Sequence, residues 1–115
     1  MQKPDIKTAI PKHRYQIGEF SAILLSDIES AGAADYLYVF AVMRDGDHEP
    51  GLYLTAEKNM EGPQVTHIMR LIMHDGETVL GSSDRWKNMD AFVSDAINTT
   101  VKLLGLADEQ AYQIS

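Results

Sequence analysis

The sequence contains no cysteine. That excludes disulfide staples, zinc-thiolate centres and thiol nucleophiles, so a folded state must rest on packing alone. Long apolar runs are also missing: no stretch approaches the roughly 20 residues that span a bilayer. The first residues, MQKPDIKTAIPKHR, lack the apolar core of a secretory leader. A cytoplasmic protein without membrane association is the expectation. Basic residues are scarce, with 10 Lys and Arg against 17 Asp and Glu for a net charge of −7. Residues 1–14 hold Lys3, Lys7, Lys12 and Arg14 against Asp5, a local balance of +3. The rest carries six basic and sixteen acidic residues, or −10. Such a body repels phosphate backbones, which argues against nucleic acid as a partner. Neither G-x-G-x-x-G nor a Walker lysine motif occurs, so no nucleotide or other cofactor is implied.

What is present fits one small globular domain. The 115 residues are 44% hydrophobic and 23% charged, enough for one core and too few for two. Pro4 and Pro11 oppose regular structure in residues 1–14, which reads as an irregular basic arm. The domain itself spans 15–106, and residues 107–115 form a frayed tail. Within the domain, FSAILLS reads as a strand buried on both sides, and 36–44 (YLYVFAVMR) is dense in aromatic and β-branched residues. Residues 51–58, 65–74 and 77–83 complete five strands, separated by turn clusters at 44–51 and 59–64 and by Asp75-Gly76. Short links make consecutive strands antiparallel.

The final element is an amphipathic helix. Met89, Phe92, Val93, Ala96, Ile97, Val101 and Leu104 recur at spacings of three and four, which places them on one stripe. Asn88 suits the N-cap, Asp90 the positive dipole end and Lys102 the negative end. Gly105-Leu106 suits a Schellman stop. The fold class is therefore α+β: a five-stranded antiparallel meander with one C-terminal helix packed on one face.

Centring each turn on its Gly, Pro and Asp cluster pairs Leu25 with Leu37, Val42 with Tyr53, Thr55 with His67, and His67 with Asp84. The helix then beds on Ile23, Leu25, Leu37, Val39, Ala41, Met43, Leu52, Leu54, Ala56, Ile68, Ile72 and Val79. The opposite face gathers Tyr38, Phe40, Tyr53, His67 and Met69, an aromatic surface that one helix cannot also cover. Contiguous exposed apolar surface of this kind marks a contact site, and two-fold homodimers are the commonest soluble assembly. The expected function is a non-enzymatic binding module, homodimeric through this face. The acidic body would also suit a basic protein partner.

Chemistry is weaker in this sequence. Thr55, His67 and Asp84 in line would supply a hydroxyl, an imidazole and a carboxylate, the parts of an activated nucleophile. A threonine on a flat strand lacks the sharp presentation such nucleophiles need, so a hydrogen-bonded structural histidine is the simpler reading. The alternative to a binding module is a small enzyme or ligand carrier with a pocket centred on His67. Asp45-Gly46-Asp47-His48-Glu49 offers metal-ligand types without the spacing of a calcium loop, so no metal site is expected. Arginines beside aromatic residues resemble a base-stacking platform, which the acidic body again opposes.

Overall fold

A computed structural model describes residues 3–32, 34–61, 64–106 and 109–115. It places seven antiparallel strands in one sheet: β1 (Ile6–Ile17), β2 (Phe20–Ser30), β3 (Asp35–Arg44), β4 (Leu52–Glu61), β5 (Gln64–Met73), β6 (Gly76–Ser82) and β7 (Ala111–Gln113). The order across the sheet is β6-β5-β4-β3-β2-β1-β7. Strands β1 to β6 therefore run as a meander, and the chain returns by the helix α1 (Met89–Leu104) to lay β7 beside β1.

The five expected strands are β2 to β6, and the two additional ones come from the expected arm and tail. Pro11 is tolerated in β1 because it lies at an edge, with register shifts on both sides of it. Strand β7 is too short to read from propensity. It forms by docking: Arg14 donates its N–H to the Ser115 carbonyl at 3.1 Å and accepts from Ile114 N–H at 2.8 Å. The His13 ring meets the Ser115 carbonyl and the Gln113 amide at the same seam.

Helix α1 follows the sequence closely. The Asn88 side chain accepts from Ala91 N–H, and Gly105 adopts the left-handed conformation at φ 67°. Leu106 N–H bonds back to the Val101 carbonyl at 2.9 Å, the six-to-one bond of a Schellman stop. Phe92, Val93 and Ala96 are buried against the sheet, and Phe92 stacks on Tyr38 with ring centroids 5.7 Å apart. Truncating Phe92 would leave a cavity of the kind that costs about 3–5 kcal/mol. Between β6 and α1 a short 3-10 turn, Asp84–Lys87, docks onto the helix. There Trp86 Nε1 donates to Asp95 Oδ2 at 2.8 Å, and its ring reaches Gly81, where an added Cβ would stand 3.7 Å from it in ordinary van der Waals contact.

Register is where the structure departs from the sequence reading. Val42 pairs with Leu52 rather than Tyr53, Leu25 with Val39 rather than Leu37, and Thr55 with Arg70 rather than His67. Strand β4 keeps its expected face, while β2, β3 and β5 exchange theirs, because an odd shift reverses every side chain. The bed of the helix is Ala22, Leu24, Phe40, Val42, Leu52, Leu54, Ala56 and Met69. Of the aromatic surface expected to be open, the β3 and β5 residues lie on the side α1 covers, while Tyr53 of β4 stays on the other. On the helix-free face Val39, Ala41, Thr55 and Ile72 are buried as well. The β5–β6 turn also differs: its corner is His74-Asp75, and Gly76 alone takes a positive φ, at 151°.

Candidate functional site

The five residues expected to form one binding surface are divided between two faces and three depths. Phe40 (0% exposed) and Met69 (2%) belong to the core beneath α1. Tyr38 is half-buried on that side, its hydroxyl donating to the Lys87 carbonyl at 3.3 Å. Burial raises the Tyr38 hydroxyl above its ordinary pKa, with Asp27 and Asp90 adding to the effect. Tyr53 pairs with Ala41 and Ile72 and so lies on the opposite, helix-free face. His67, in phase with Met69, is buried at 8% exposure on the helix side.

The line of Thr55, His67 and Asp84 is only half assembled. His67 Nδ1 stands 3.9 Å from Asp84 Oδ1 and makes no hydrogen bond among the described residues. Thr55 is on the other face, where its hydroxyl donates to Glu57 Oε2 at 2.6 Å. A hydroxyl committed to a carboxylate across the sheet from the imidazole cannot be deprotonated by it, so the three do not form a nucleophilic relay.

Thr55 instead belongs to a polar ladder that the sequence reading missed. Glu57 is buried, and its Oε2 also accepts from Arg70 Nε at 2.9 Å. Arg70 Nη1 reaches on to Glu77 Oε1 at 3.2 Å. The ladder crosses β4, β5 and β6 on the helix-free face. The hydrogen bond to Glu57 comes first among the causes that hold the Arg70 proton above its usual pKa. Tyr36, beside the same charges, is raised chiefly by burial, and its hydroxyl accepts from Asp5 N–H at 3.4 Å. Charged residues at 57 and 70 inside otherwise apolar strands were the available signal, but only the true register makes them neighbours. A ladder with each group paired is structural chemistry: it fixes register and offers no free base or nucleophile.

A cleft of about 490 Å³ opens between β2 and β3, where pairing stops at Leu25–Val39. Asp27, the next residue but one, turns away with φ 49°. Lys12 spans the mouth to Asp27 Oδ2 at 3.6 Å, and Ser26, Leu37, Tyr38 and Met89 line the interior. His67 is not among its lining residues. At the far end of the sheet, Asp45 of the turn with metal-ligand residue types is held by Gln16 and Ser21 at 2.9 and 2.8 Å. Among the described residues no group of three or more His, Asp or Glu is arranged to hold a metal, and no helix is long and apolar enough to cross a membrane.

Exposed apolar side chains occur at both ends of the sheet, Tyr112 and Ile114 at the β7 end and Val79 and Leu80 at the β6 end. Strand β6 ends the sheet, and its Val79 and Leu80 are 48% and 43% exposed. Its sequence, GETVLGS, has no lysine or proline. Among the described residues no strand pairs with its outer side. The comparisons with family models, curated proteins and solved structures give no match for this chain.

Proposed function

We propose that this chain is a non-enzymatic protein-interaction module that acts as a homodimer, with the β6 edge as its contact surface. The observation that carries this reading is that the edge has no lysine, no proline and, among the described residues, no covering strand. Edge strands expose a row of main-chain donors and acceptors, and monomeric proteins blunt them with lysine, proline or a covering segment. Strand β6 has no lysine or proline and, among the described residues, no covering strand, and it adds two exposed aliphatic side chains. The polar ladder supports the same reading, because Arg70 and Glu77 pin β6 to β5 and keep the edge rigid. A pre-organised edge loses less entropy on binding than a mobile one.

Light scattering over a concentration series tests this. The wild-type chain should move from monomer toward dimer as concentration rises, and Val79→Lys should hold it monomeric at every concentration. Lysine at 79 stands cross-strand from Arg70, so a stability loss of up to about 1 kcal/mol is expected, and urea denaturation should show the variant still folded. A Val79→Lys protein that still scatters as a dimer would remove the edge from the interface.

A further inference from the structure

We infer that two copies pair antiparallel through β6 about a two-fold axis at Thr78, so that two seven-stranded sheets become one of fourteen. This rests on the self-association reading above and adds the register and the occupant.

The register follows from which main-chain groups face outward. Ser83 N–H donates to the His67 carbonyl at 2.8 Å, so residues of β5 in phase with His67 point their main-chain groups toward β6. Leu71 is in phase and pairs with Thr78, which turns the Thr78 N–H and C=O inward. Glu77 and Val79, one residue to either side, then present theirs to the open edge. The regular ladder runs from Gly76 to Val79. Beyond it the pairing shifts between Arg70–Val79 and Met69–Gly81, leaving Leu80 as the extra residue of a bulge. A bulge bends the strand and ends regular pairing, so the usable edge is the short segment before it.

A second copy satisfies that segment fully in one register. Placing Glu77 opposite Val79 of the second copy pairs both outward residues at once, and symmetry repeats the pair. Thr78 then meets its own symmetry mate in the close, non-hydrogen-bonded position, a favourable cross-strand contact for threonine. Glu77 lies beside a valine, so no like charges oppose each other. A two-fold centred on Glu77 would set two carboxylates face to face, and one centred on Val79 would run Glu77 into the bulge. The axis stands perpendicular to the sheet, which keeps both α1 helices on one side and joins the two helix-free faces into one surface. Such an interface is isologous and closes at two copies.

Because the chain has no cysteine, single cysteines report on this register cleanly. Thr78→Cys puts the two Cα atoms about 4.5 Å apart, inside the range a disulfide spans. Val79→Cys puts them two residues out of step, about 8 Å apart, beyond that range. After mild oxidation at a concentration where the wild type scatters as a dimer, Thr78→Cys should run as a covalent dimer on a non-reducing gel, at least tenfold more than Val79→Cys. Equal linking by both, preferential linking of Val79→Cys, or linking of neither in a dimeric sample would overturn the register while leaving self-association standing. A wild-type chain that scatters as a monomer throughout the series would defeat the self-association reading itself, and the register with it.

Discussion

The two edges of the sheet are built to opposite specifications. Strand β1 carries Lys7, Pro11, Lys12 and Arg14 and is broken by three register shifts. Its last residues, Tyr15–Ile17, are covered by β7, and the chain end is tied down through Arg14 and His13. Charge, proline, bulges and cover are the recognised ways of keeping a strand edge from pairing. Strand β6 has one bulge and an exposed pair of aliphatic residues. Three of the protein's ten Lys and Arg, Lys7, Lys12 and Arg14, sit on β1 ahead of the stretch that β7 covers. The contrast says that closure at β1 and access at β6 are separate features, each encoded in its own strand.

The strongest way to break the comparison is to remove what holds β6. Glu57→Ala should cost about 3 kcal/mol in urea denaturation, since it leaves the Thr55 hydroxyl and part of the Arg70 guanidinium without a buried partner. Glu77→Ala, at the exposed end of the same ladder, should cost no more than about 0.5 kcal/mol. Hydrogen exchange should show β6 opening first in Glu57→Ala. Equal effects of the two substitutions would mean that the buried end is not what anchors this edge.

Next in size is the removal of residues 111–115, which strips the cover from β1. Losing a few main-chain hydrogen bonds at the seam should cost about 2 kcal/mol. The Tyr15–Ile17 amides should exchange faster, while β6 amides keep their rates. Self-association should persist in the truncated chain, because its surface lies at the other edge. Loss of the dimer on truncation would assign the contact to β7 and reverse the comparison.

The smallest effect is expected from alkali near the ordinary tyrosine pKa. Tyr15, Tyr36, Tyr38 and Tyr53 are all raised above 10.0 by burial. Above that pH the unfolded chain loses phenolic protons before the folded one, so the folded state binds more protons and stability falls as pH rises. Below the unfolded value the contribution is constant. These tyrosines lie in β1, β3 and β4, and β6 has none. Thermal melts through pH 9 to 11 should therefore fall, with exchange accelerating first around β1 to β4. A flat profile would indicate that the phenols are freely hydrated.

Much of this was legible in the residues. The helix, both of its caps and the polar β3–β4 corner are local features, set by side chains within a few positions of each other. The existence of strands β2 to β6 follows from apolar density and short turns in the same way. The composition of the strand at the end of the meander was readable from GETVLGS, but its exposure was not: Val79 was expected beneath the helix and is 48% exposed. The candidate site was harder. Thr55 and His67 look like neighbours until the β4–β5 pairing is known, and Glu57 and Arg70 look like isolated charges until the same pairing brings them within 2.9 Å.

By itself, then, the sequence determined the α+β class, the antiparallel order and the capped amphipathic helix, because each depends on short-range periodicity and turn chemistry. Tertiary structure decided three things that no local pattern contains. It chose which face the helix covers, since a one-residue slip moves a whole strand's side chains across the sheet. It made strands of the two termini, whose prolines and short length give no propensity signal and whose ladders form only on their neighbours, β1 on β2 and β7 on β1. It also set β6 at one end of the sheet, with no strand on its outer side among the described residues, a property of position in the sheet rather than of any residue within it.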